Sequence, residues 1–180
     1  LRQHADPSPG QPDKQPFVIP VAMGLLSRDG RPLALRLEDE PAERAATERV
    51  LVLEEAKTFY TFVDVEAEPV PSLLRHFSAP VHLVDGLSDA DLLVLLAHDP
   101  DPFNRWEAGQ RLAATIILAH DGKPSRAFVD AFRRLLADSA ADPAFCAEVL
   151  SLPGEAFLAE QMKVVDPDAL HAARNTLKRT

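Results

Sequence analysis

The sequence predicts a multidomain β-plus-α chain: a small β-sandwich over residues 1–84, then an all-α region of helical-hairpin or solenoid-like type over 85–180. Three observations carry this. Apolar residues alternate at period two in the first half, and Gly and Pro punctuate that half at short intervals. After Asp85-Gly86 the apolar period becomes that of a helix, with Asp-Pro pairs at the predicted starts.

The run Phe17-Val18-Ile19-Pro20-Val21-Ala22-Met23-Gly24-Leu25-Leu26 places Phe17, Ile19, Val21, Met23 and Leu25 on one side of a strand. Pro20 cannot donate to a ladder and points to an edge position or a bulge. Asp29-Gly30 closes a turn, and Leu33, Leu35 and Leu37 alternate as the return strand of a hairpin. Glu38 to Glu48 reads as a loop or a short helical turn. Val50–Leu53 is a strand, and Lys57–Val65 is another by its Thr, Phe, Tyr and Val content. Short strands over Ser72–Phe77 and Val81–Val84, split by Ser78-Ala79-Pro80, complete the predicted sandwich.

Ser88 with Asp91 three residues on resembles a capping box leading into Leu92–Leu96, and Asp99-Pro100 ends that helix. Asp101-Pro102, Asp142-Pro143 and Asp166-Pro167 open three more. An Asp at the N-cap takes an extended backbone and accepts an orphan N–H; proline imposes that backbone on its predecessor and fits the first helical position. Phe103, Trp106, Ala113, Ile116 and Ile117 form an inward stripe, with Phe103 and Trp106 expected in the core, and Asp121-Gly122 stops the helix. Ser125 caps the next, with Phe128, Val129, Phe132, Leu135 and Leu136 inward. Phe145, Val149 and Leu150 face inward on another, and residues 155–162 and 167–179 complete the helical run. No fixed-length repeat is visible, although helix pairs of this length can stack as a solenoid.

The balance of charge narrows the partners. Formal net charge is −9, spread evenly: nine basic against thirteen acidic residues over 1–84, ten against fifteen over 85–180. With no basic face to neutralise phosphates, nucleic acid is not an expected partner. No run approaches the roughly 18–20 apolar residues that span a bilayer, so no membrane is expected. The single cysteine, Cys146, excludes an internal disulfide framework and fits a reducing compartment; its apolar surroundings mark it as a small buried hydrophobe. The start at Leu1 has neither an initiator Met nor a signal peptide's apolar core, and the last helical stretch has no terminating cap. Both fit a segment of a longer chain, truncated at each end.

Catalytic constellations are missing. His4, His76, His82, His98, His120 and His171 include no pair at the one-turn spacing of a zinc helix, and none is followed by Glu. His98 beside Asp99 reads as a last-turn histidine near a helix dipole. Gly-x-Ser-x-Gly and the Gly-rich phosphate loops are absent. The carboxylates Glu38-Asp39-Glu40 and Glu54-Glu55 read as solvated charges. No catalytic, cofactor-binding or metal-ligating residue is therefore assigned to this segment.

Three stretches carry a family resemblance. Lys14-Gln15-Pro16-Phe17-Val18-Ile19-Pro20-Val21-Ala22-Met23-Gly24-Leu25-Leu26 resembles the segment that follows the catalytic domain of bacterial aminopeptidase N. Pro69-Val70-Pro71-Ser72-Leu73-Leu74-Arg75-His76-Phe77-Ser78-Ala79-Pro80-Val81 is similar to that family's last sandwich strands, and Asp101-Pro102-Phe103-Asn104-Arg105-Trp106-Glu107-Ala108-Gly109-Gln110 to the opening of its C-terminal helical domain. They stand in family order. The resemblance implies an immunoglobulin-like sandwich and the first helices of the helical domain of a zinc metallopeptidase that removes N-terminal residues from peptides. It implies zinc in the parent but none here, since the His-Glu-x-x-His helix, the downstream Glu and the Gly-x-Met-Glu-Asn loop match nothing in this chain. The implied partners are the parent's own catalytic and remaining helical domains, with peptides as the parent's substrate and the cytoplasm as its location. The isolated segment is expected to self-associate. The competing reading is a free-standing immunoglobulin-like interaction module without enzymatic activity.

Overall fold

Every other strand of the first half pairs with one run. In the computed structural model, which describes residues 1–119, 122–137 and 142–180, strand β1 (Ile19–Leu26) pairs antiparallel with β2 (Pro32–Leu33), β3 (Arg49–Leu53) and β4 (Val70–Leu73). The registers set Leu25 against Leu33, Val21 against Leu51 and Gly24 against Ser72. Odd-numbered side chains of β1 enter a core of Val21, Met23, Leu25, Leu33, Leu35, Leu51, Leu74 and Ala79. Pro20 is accommodated without losing a ladder bond. Successive N–H groups alternate between strand edges, and Ala22 sends its N–H to Ser78 Oγ at 3.0 Å rather than to β3. Pro20 shares that edge.

Five strand expectations are corrected. The strand expected over Ser72–Phe77 ends at Leu73 and gives way to a 3-10 turn at Arg75–Phe77. The return strand through Leu37 is a ladder only at Pro32–Leu33. Phe17 lies outside β1 and is 55% exposed; the Gln3 side-chain amide takes both its N–H and its C=O, each at 2.8 Å, where a strand neighbour would. Lys57–Val65 forms no ladder, only single bridges from Lys57 to Arg2 and from Phe62 to Leu37. Its natural partner is divided, because Leu35 bridges Ala46 instead. The segment still places Tyr60 and Phe62 against the core at period two, and Val65 beyond Asp64, whose φ of +57 breaks the alternation. Val81–Val84 is not a strand: Pro80 has no N–H to give, Val81 turns its own to Ala79 O at 2.9 Å, and all four side chains are exposed. Between β2 and β3 the expected helical turn is a 3-10 turn at Ala42–Arg44.

The second compact unit, Asp85–Thr180, consists of α1 (Asp89–His98), α2 (Pro102–Leu118), α3 (Arg126–Ala137), α4 (Pro143–Val149), α5 (Glu155–Ala159) and α6 (Pro167–Lys178). The capping box at Ser88 and Asp91 is complete. Asp101, Asp142 and Asp166 each accept the N–H three residues on, at 2.8, 2.9 and 3.0 Å, with proline at the first helical position. Ser125 caps α3 through the Phe128 N–H. Helix α1 packs on α2 and α3, α2 on α4 and α6, and α5 on α6.

The stripe on α2 is rotated from the expected one. Its buried residues are Asn104, Ala108, Gly109, Leu112, Ala113, Ala114 and Ile117, whereas Phe103, Trp106 and Ile116 are half-buried. Small residues on the inner face let neighbours come close: at Gly109 an added Cβ would already touch Leu96 and Val149. Phe103 and Trp106 pack on each other at the flank, ring centroids 5.8 Å apart. On α4 the inward residues are Cys146 and Val149, with Phe145 half-buried and Leu150 exposed; on α3 Leu136 is also exposed. The expected stop at Asp121-Gly122 falls partly outside the described residues, which exclude His120 and Asp121. Gly122 itself has φ +60, and a Cβ there would stand 2.2 Å from Ala173 O.

The caps differ in burial, and this gives a test. Asp101 is buried and Asp166 exposed. Asp101→Ala is expected to cost about 2 kcal/mol and Asp166→Ala about 1 kcal/mol or less, read from urea midpoints; equal costs would mean burial adds nothing to the cap.

Candidate functional site

The most constrained polar arrangement in the chain gathers on Gly24. A Cβ at that position would stand 2.2 Å from Arg75 Cζ, so the guanidinium occupies the space a side chain would need. Arg75 is only 2% exposed. Its Nε donates to Ser72 Oγ at 2.8 Å and its Nη1 to Glu48 Oε2 at 3.2 Å. The other Glu48 oxygen meets His76 Nε2 at 3.2 Å. Beyond β4 the chain turns through Leu74, His76 and Phe77, three non-glycine residues at φ +56, +57 and +52. Such backbone costs of order 1–3 kcal/mol per residue and persists only where its surroundings fix it. Here β4 holds one side, and Ser78, which accepts from Ala22 and donates its N–H to Arg75 O, holds the other.

The chemistry open to this arrangement is positional. A guanidinium is always protonated and only donates, and the buried Ser72 hydroxyl serves it. The nearby imidazole of His76 is exposed, facing a carboxylate already engaged by Arg75.

A second ion pair organises the start of the helical unit. Arg111 on α2 grips Asp85 with Nη1 at 2.7 Å and Nη2 at 2.9 Å, and the Leu87 N–H adds a third bond. Burial by itself raises the Asp85 carboxyl; the hydrogen bonds from Arg111 and Leu87 outweigh it and hold the group below the usual carboxylate range. The Arg111 guanidinium is raised by the same bond. Among the carboxylates read as solvated, Glu40 is an exception. Arg49 binds both its oxygens at 2.7 and 2.8 Å and holds it below the ordinary value. Glu54 and Glu55 are exposed.

The remaining histidines are scattered. His4 meets Asp6, His171 meets Glu155 at 2.8 Å, His82 and His98 are exposed, and His120 lies outside the described residues. Among the described residues no group of three His, Cys, Asp or Glu side chains is gathered as a metal would need. Cys146 is buried on α4. Among the described residues the helical unit opens a cavity of about 290 Å³ between α1 and α3, and a more apolar one of about 330 Å³ beside Phe128, Phe132, Leu150 and Leu177. The sequence did not single out Gly24 and Arg75 as a pair. The available signals were a glycine inside a strand pattern and a charge inside the apolar run Leu73–Phe77.

Residues 89–180 match the family model described as "Domain of unknown function (DUF3458_C) ARM repeats", which is more than half of the chain. The chain belongs to the DUF3458_C family. Residues 1–86 match a second model, "Domain of unknown function (DUF3458) Ig-like fold", so the architecture is an immunoglobulin-like domain followed by ARM-repeat helices. The chain is 37% identical over 188 residues to Aminopeptidase N of Escherichia coli (strain K12), covering 100% of this chain and 21% of that protein. Against Aminopeptidase N of Caulobacter vibrioides it is 43% identical over 162 residues, covering 87% and 17%. A solved structure described as Legionella pneumophila aminopeptidase A in complex with aspartic acid matches with TM-score 0.69 and 29% identity, covering 88% of this chain and 18% of that one. The resemblance to bacterial aminopeptidase N is borne out, and the chain spans about a fifth of the length of these relatives.

Two tests follow from the ion pairs. Gly24→Ala should cost about 1–3 kcal/mol by overpacking in the native background and far less when Arg75→Ala is also present. Additive costs in that double-mutant cycle would show that the contact does not constrain the strand. For Asp85, the unfolded carboxyl protonates near 3.8 and the folded one at lower pH. Its contribution is therefore full well above 3.8 and is lost as pH falls through that value and below. Asp85→Asn should flatten this acid limb of the urea stability profile; an unchanged slope would remove Asp85 from it.

Proposed function

We propose that this chain is a non-catalytic, architectural segment of a zinc-dependent aminopeptidase that removes N-terminal residues from peptides. The immunoglobulin-like unit links the catalytic and helical domains, and the ARM-type helices help wall the chamber around the active site. The observation that carries this reading is similarity along the whole chain to a fifth of an aminopeptidase N. The polar contacts of Arg75, Arg111 and Arg49 join separate segments of the chain, which supports a scaffolding role.

Zinc is assigned to the parent's catalytic domain on the resemblance to aminopeptidase N. The partners of this segment are then the parent's catalytic and remaining helical domains, and peptides are the substrate of the whole enzyme. The single cysteine suits a cytoplasmic parent. In isolation the segment self-associates on this reading; Phe59 at 79%, Val18 at 68% and Val50 at 57% exposure are among the apolar residues left open on the sheet unit.

Expression of residues 1–180 beside the full-length reading frame tests the proposal. The full-length protein should cleave an aminoacyl chromogenic substrate and carry stoichiometric zinc, and residues 1–180 should do neither. Hydrolysis above blank by residues 1–180 would overturn the non-catalytic reading; a full-length protein without aminopeptidase activity would overturn the parentage. Sedimentation velocity over a wide concentration range should show residues 1–180 associating, and a single monomeric species throughout would contradict that part.

A further inference from the structure

We draw no further inference here: the strongest candidate, the apolar cavity of about 330 Å³ lined by α3, the end of α4 and the end of α6, is an unpartnered face and nothing in the structure shows what covers it.

Discussion

A buried guanidinium pressed against a glycine is the constraint on which the sheet unit depends. Arg75 has left water almost completely, and a buried cation stripped of its partner typically costs about 3–5 kcal/mol. Its partners come from separate parts of the chain. Ser72 lies on β4 opposite Gly24, and Glu48 immediately precedes β3. One side chain thus ties the hub strand, its neighbour β4 and the entry to β3. The left-handed turn at Leu74–Phe77 is what aims Arg75 back over the sheet. Any side chain at position 24 displaces the charge from its partners.

The helical unit is built on a different principle. Except at α5, its helix starts are closed by a side chain three residues before the N–H it accepts, so each of those starts is specified within one turn of sequence. What the tertiary structure adds is proximity. Helix α2 presents alanine and glycine inward, which allows α1, α4 and α6 to pack against it. The Asp85–Arg111 pair then fixes the residues entering α1 to the side of α2, and the hydrogen bonds from Arg111 and Leu87 together outweigh the burial that would raise the Asp85 carboxyl.

This difference explains what could be read from the amino-acid string. The five acidic or serine caps at Ser88, Asp101, Ser125, Asp142 and Asp166 were legible because cause and effect lie three residues apart. The hub strand was legible from alternation, and the family from three motifs in order. Lys57–Val65 had strand composition, yet pairing also needs a continuous partner, and Leu35 and Leu37 bridge different segments. Phe17 was captured by a distant glutamine amide. Trp106 and Phe103 were ranked by size, whereas the inner face of α2 required small side chains. The Arg75 site was hidden because none of its contacts to Gly24 or Glu48 is local.

The pairing pattern also sets a timetable for the nascent chain. Strand β1 meets β2 after a short turn, but Met23 pairs with Leu73, fifty residues later in sequence. At ribosomal rates of about 5–20 residues per second, that interval lasts roughly 3–10 s. During it, the edge of β1 reserved for β4 is open, and the place over Gly24 is vacant until Arg75 is made. The capped helices that follow need no such wait to start, since each side-chain cap forms with its own first turn. The sheet unit is translated first and yet is the slower to close, so it is the part most exposed to wrong strand partners while the protein is being made.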